Sequence, residues 1–146
     1  MAYTAETAYR NREVLNASPE KLVQIVYDFA IKSVVSAREC LERKDIEGRA
    51  RHVNRAFAAL VELSSGLDFE AGKDIAENYA RIYDYCRRRL IEANARQDDA
   101  VLAEVQSLIE DLQEAWQVVV TKLSAERTAQ FAVVEPILAG GLGVLG

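Results

Sequence analysis

His52 is the only histidine in this chain, so any chemistry that needs an imidazole base or metal ligand depends on it alone. A serine triad requires a histidine beside its nucleophile, and no segment here resembles the sharp turn that presents such a serine. Bundles that hold two metal ions combine several inward carboxylates with a Glu-x-x-His motif on each of two helices, which one histidine cannot supply. Its position at the edge of an apolar helix face suits a boundary or surface side chain. Histidine-free lyase or mutase chemistry would have to use Arg81, Arg88 and buried carboxylates, yet the pattern sets no ring of charges inward. Gly140, Gly141, Gly143 and Gly146 lack the helix and lysine that follow a phosphate-binding loop. No catalytic residue, metal ligand or cofactor is therefore expected, and a binding role is favoured.

The remaining reactive side chains read as structure. Cys40 and Cys86 match no metal or redox spacing and fall on apolar helix faces, as buried thiols do in a reducing cytoplasm. Arg87, Arg88 and Arg89 point in three directions around one helix, which makes a solvated face able to pair with acids of neighbouring helices, as Asp98, Asp99, Glu104, Glu110, Asp111 and Glu114 make the fourth helix acidic. Tyr79, Tyr83 and Trp116 suit buried rings with bonded polar atoms, whereas Tyr27 and Tyr85 are better placed for an interface.

These residues must be positioned by helices, because nothing in the chain alternates with period two. At 146 residues the chain suits one domain, able to bury roughly 68–70% of its unfolded surface. Its net charge of −5 disfavours binding to a phosphate backbone, so no nucleic-acid partner is expected. No apolar run approaches the roughly 20 residues of a membrane span, so no membrane insertion is expected. The start shows no signal-peptide pattern, which leaves the cytoplasm as the expected location.

Ser18 and Pro19 mark the start of a first helix that runs to about Arg43. Asp45 caps a second, whose regular part is expected a turn later because Gly48 weakens its beginning. Ser64 to Gly66 loosen its end, and Asp68 to Gly72 form the connection to a third helix over about 73–95. That helix carries Ile75, Ala76, Tyr79, Ile82, Tyr83, Cys86, Leu90 and Ala93 on one face. Asp98 caps a fourth, whose apolar arc from Val101 to Leu123 spans roughly 140°. Short joints between long helices predict an all-α, antiparallel up-and-down four-helix bundle. Residues 1–17 form an N-terminal arm, 18–123 the bundle, and 124–146 a helix extension and an apolar, Gly-rich C-terminal tail interrupted by Pro136.

The first helix carries more apolar surface than one neighbour can cover. Leu22, Ile25, Val26, Phe29 and Cys40 form one stripe; Val23, Tyr27, Ala30, Val34 and Leu41 form a second, with Ile31 and Val35 further round. The excess points to a binding surface, and the exposed apolar residues of the arm and the tail are able to cover it in the free protein.

The ordered set Tyr9, Val14, Ser18-Pro19-Glu20-Lys21-Leu22 and Tyr27-Asp28 resembles the opening of the flagellin-specific export chaperones, the FliS family. Leu63, Leu67-Asp68, Gly72, Ile75-Ala76-Glu77-Asn78, Ile82-Tyr83-Asp84-Tyr85, Leu90, Ala93-Asn94, Asp98, Leu112 and Glu114-Ala115-Trp116 continue the resemblance over about residues 3–122. The resemblance implies a cytoplasmic bundle that binds the disordered C-terminal segment of flagellin in apolar grooves. Such binding prevents premature polymerisation and presents the client to the flagellar type III export apparatus, whose gate components become further candidate partners. The helical wheel places the flagellin-binding surface at Val23, Tyr27, Ile31 and Val34, with Tyr9 and Val14 of the arm nearby. A monomer or weak dimer is expected, the alternative being a homodimeric structural adaptor whose extra apolar face binds itself. The tail from about Ser124 has no counterpart in the resemblance.

Overall fold

A computed structural model describes residues 18–129, with side chains described as far as Lys122. Four helices account for them: α1 (Pro19–Glu42), α2 (Ile46–Ser65), α3 (Phe69–Arg96) and α4 (Asp99–Ala129). Each start is set locally. The Ser18 hydroxyl accepts from the Lys21 N–H at 3.2 Å, and Pro19 at the first helical position needs no donor. Asp45 accepts from Gly48 N–H at 2.9 Å, Asp68 from Ala71 N–H at 3.0 Å, and Asp98 from Ala100 N–H at 3.0 Å. Helix α3 ends at Gln97, whose left-handed backbone (φ 55°) closes the last turn.

Two starts differ from expectation. Helix α2 begins directly at Ile46 rather than a turn later, because Gly48 answers a spatial demand. A Cβ there would run into the capping Asp45 carboxylate and lie 2.8 Å from the Cys40 sulfur. Helix α3 begins at Phe69, but its backbone breaks at Lys73 (φ 47°, ψ −122°), close to the expected start. The segment Phe69–Gly72 is thus a separate first turn capped by Asp68.

Helix α1 packs against both α2 and α4, α2 also against α3, and α3 against α4, which closes the bundle expected from the short joints. Tyr27, Ala30, Val34 and Ala37 of α1 meet Ala56, Leu60 and Leu63 of α2, Cys86 and Leu90 of α3, and Leu102, Val105 and Ile109 of α4 in one core. Each large side chain so buried contributes about 1.5–3 kcal/mol, and the alanines let the helices approach closely. Polar side chains fix the register. Arg38 reaches both Asp99 carboxylate oxygens (2.8 and 3.1 Å) and Gln106 (2.9 Å) across α1 and α4, and Gln113 donates to Asp28 at 2.6 Å. Buried Arg49 donates to Asn94 at 2.8 Å, tying α2 to α3. Ile75, expected on the core face, is 66% exposed just past the break at Lys73.

Candidate functional site

At the end of the bundle where α1 begins, a cleft of about 570 Å³ opens between helix ends. The first turns of α1 supply Pro19, Leu22, Val23, Val26 and Tyr27. The α2–α3 connection adds Leu67, Asp68 and Phe69 on one side, while Tyr79 and Tyr83 of α3 and Trp116 of α4 close the back. Phe69 stands at the mouth, 52% exposed.

The floor holds its own polar atoms. The Tyr27 and Tyr83 hydroxyls lie 2.6 Å apart, and Tyr79 stacks at a tilt on Tyr83 with ring centroids 6.2 Å apart. Burial pushes the Tyr83 phenol up to about 12 and raises that of Tyr27 as well, so both stay neutral at physiological pH. The Trp116 indole N–H donates to the Glu20 carbonyl at 3.3 Å. The two tyrosine hydroxyls share one hydrogen bond and are almost wholly buried. The cleft thus offers apolar walls and aromatic faces, which suit apolar side chains.

The expected binding residues divide. Val23 lines the cleft, and Tyr27 forms part of its floor with 1% of its surface exposed. Val34 is fully buried in the core, and Ile31 is only partly buried, packing against the core without lining the cleft. The cause is packing: α1 is clasped by α2 on one side and α4 on the other, and its second stripe is spent on the second neighbour. Tyr9 and Val14 lie outside the described residues, as does the tail beyond Ala129. Leu67, Phe69, Tyr79 and Trp116 were not expected at a site; an apolar pair flanking Asp68 within a short connection was the available signal.

Elsewhere the arginine run pairs mainly within its own helix, and only Arg89 reaches the acids of α4 as expected. Arg87 and Arg88 reach Asp84 at 3.5 and 3.0 Å, and Arg89 joins Glu92 at 2.7 Å and Glu104 of α4 at 2.9 Å. Tyr85 donates to the same Glu104 at 3.0 Å. Cys40 and Cys86 are buried free thiols, and burial pushes Cys86 up to about 11. Among the described residues, no group of three or more His, Cys, Asp or Glu side chains is placed to hold a metal ion, and no helix is long and apolar enough to cross a membrane. A second cleft, lined by Val35, Arg38, Glu39, Leu41, Glu42, Asp99 and Gln106, has its central guanidinium already engaged by Asp99 and Gln106.

The described residues thus form an all-α helical bundle with an apolar, aromatic-lined cleft between its helix ends. The family model described as "Flagellar protein FliS" matches residues 1–123. The chain belongs to this family. It is 35% identical to the flagellar secretion chaperone FliS of Salmonella typhimurium over 79% of this chain and 86% of that protein. It is 31% identical to FliSB of Pseudomonas aeruginosa (71% and 82% covered) and 30% identical to FliS of Bacillus subtilis (76% and 82% covered). Both of these are likewise named flagellar secretion chaperones.

Proposed function

We propose that this chain is a flagellar secretion chaperone that binds the disordered C-terminal segment of flagellin before export. The observation that carries the reading is the apolar cleft built by the start of α1 and the α2–α3 connection, in a member of a family whose relatives bear that name. A disordered segment that folds into short amphipathic helices on such a surface hides the apolar residues that would otherwise drive its polymerisation. Val23, Leu67, Phe69 and Tyr79 grip apolar side chains of the client. The bound segment is then presented to the flagellar type III export apparatus. No covalent step is involved.

Calorimetric titration of the full chain with the C-terminal segment of flagellin from the same organism tests this. Saturable one-to-one binding with a negative heat-capacity change is expected, because apolar surface leaves water. Absence of heat and of any spectral perturbation at the cleft, paired with a stable dimer in sedimentation, would overturn the reading in favour of the adaptor.

A further inference from the structure

The family match ends at residue 123, yet the chain continues to Gly146. Helix α4 runs antiparallel to α1, with Gln113 bonded to Asp28 and Gln117 to Gln24, so it leaves the bundle at the end that holds the cleft. It carries on to Ala129, about 20 Å beyond Trp116 at 1.5 Å per residue. An extended chain covers roughly 3.3 Å per residue, so about six or seven residues past Ala129 suffice to return to the level of Trp116. That distance brings Pro136 and the apolar stretch from Ile137 to Leu142 to the mouth. Pro136 breaks any continued helix and Gly140-Gly141 permit a tight return.

We propose that residues 137–142 of the chain's own C-terminal tail seat in this cleft and compete with an incoming ligand. Charge separates this occupant from the N-terminal arm. The only charged side chain from Phe131 to Gly146 is that of Glu135, outside the seated stretch. The arm flanks Tyr9 and Val14 with Arg10, Arg12 and Glu13, charges that would have to be desolvated to enter an apolar cleft. The seated tail is a competitor that this chain adds to the part it shares with its family.

The test compares amide proton–nitrogen NMR spectra of the full-length protein and a full-length variant carrying Ile137→Asp, Leu138→Asp and Leu142→Asp. Differences at Val23, Leu67, Phe69 and Tyr79, independent of protein concentration, are the expected result. Differences confined to the tail refute the seating. Concentration-dependent differences would assign the occupant to a second copy, and cleft shifts that respond to Tyr9→Ala with Val14→Asp but not to the tail changes would assign it to the arm; either overturns the proposal. The consequence for affinity rests on the chaperone reading: the tail variant should bind the flagellin segment about tenfold more tightly, since a site mostly occupied by its own chain binds more weakly by that occupancy. Equal affinities would show that the tail does not compete. If neither protein binds flagellin, the chaperone reading fails, while the spectra still decide whether the tail is seated.

Discussion

Replacing Phe69 with alanine tests whether the cleft is the client surface. Its ring is 52% exposed at the mouth. A phenylalanine buries about 150–250 Å² when fully covered, so a ligand capping the exposed half removes on the order of 100 Å² from water. At about 25 cal/mol per Å² this amounts to about 2.5 kcal/mol. Ordering of the client offsets part of that, and alanine retains some contact, so Phe69→Ala should cost about 1–2 kcal/mol of binding, or about 5- to 30-fold in Kd. The first turn of α3 accepts alanine readily, so the fold survives with a lowering of a few degrees in Tm. Phe29 is the matched control: it is 45% exposed, on the same bundle, and does not line the cleft. Calorimetric titration with the flagellin segment, alongside thermal melting, reads both variants. Wild-type affinity in Phe69→Ala, or an equal loss in Phe29→Ala, would refute the assignment of the surface.

Tyr27→Phe leaves the buried Tyr83 hydroxyl without its partner and should destabilise by about 1–2 kcal/mol; with Tyr83→Phe added, the double variant should lose less than the sum of the singles in a denaturant cycle. Gly48→Ala forces a methyl into the Asp45 cap and the Cys40 sulfur, and urea unfolding should show a loss of about 1–3 kcal/mol; an unchanged midpoint would mean the cap shifts without cost. Acid should weaken the fold. The Asp45 carboxyl is held below its usual 3.8 by the Gly48 N–H and that of Asp99 by the Arg38 guanidinium, so their contributions are complete above that value and lost as pH falls through the lower folded values. His52, held below 6.5 by burial and by Arg55 and Arg51, acts in the same direction from that pH downward. Melting at pH 7, 5 and 3 should therefore show a falling Tm, with Asp99→Asn less sensitive at the acid end; a Tm that rises on acidification contradicts the signs.

What a sequence reveals depends on how far the cause reaches. Ser18, Asp45 and Asp98 are legible as caps because a cap acts over three residues, and the core faces of α2 and α4 follow from rotation along one helix. Of the arginine run only Arg89 meets an acid of α4, as expected; Arg87 and Arg88 find Asp84 one turn back on their own helix. Val34 was misplaced because a helical wheel gives the direction of a side chain, not the number of neighbours that will cover it. With both α2 and α4 against α1, an apolar arc wider than one interface needs is consumed by two. Gly48 read as a weak helix former because the sulfur and the carboxylate that exclude a Cβ approach it only in the folded chain. The cleft was largely invisible for the same reason: its walls come from four helices and one connection, and no periodicity joins Val23 to Phe69, Tyr79 and Trp116.

The cleft's internal bonds bear on what kind of ligand it serves. With Tyr27 bonded to Tyr83 and Trp116 bonded to the Glu20 carbonyl, the aromatic polar groups of the cleft already have partners within the bundle. A ligand accordingly gains from apolar burial rather than from rescuing buried polar atoms. A cleft of about 570 Å³ takes only a few side chains, each contributing about 1.5–3 kcal/mol at full burial. Ordering a disordered segment costs about 2–5 kcal/mol or more, and association costs about 4 kcal/mol at the least. The cleft alone would therefore leave little net affinity for such a client. Durable binding requires the segment to run beyond it over further apolar surface. This is why a full-length flagellin segment, rather than a short peptide cut to the cleft, is the ligand on which the proposed function should be judged.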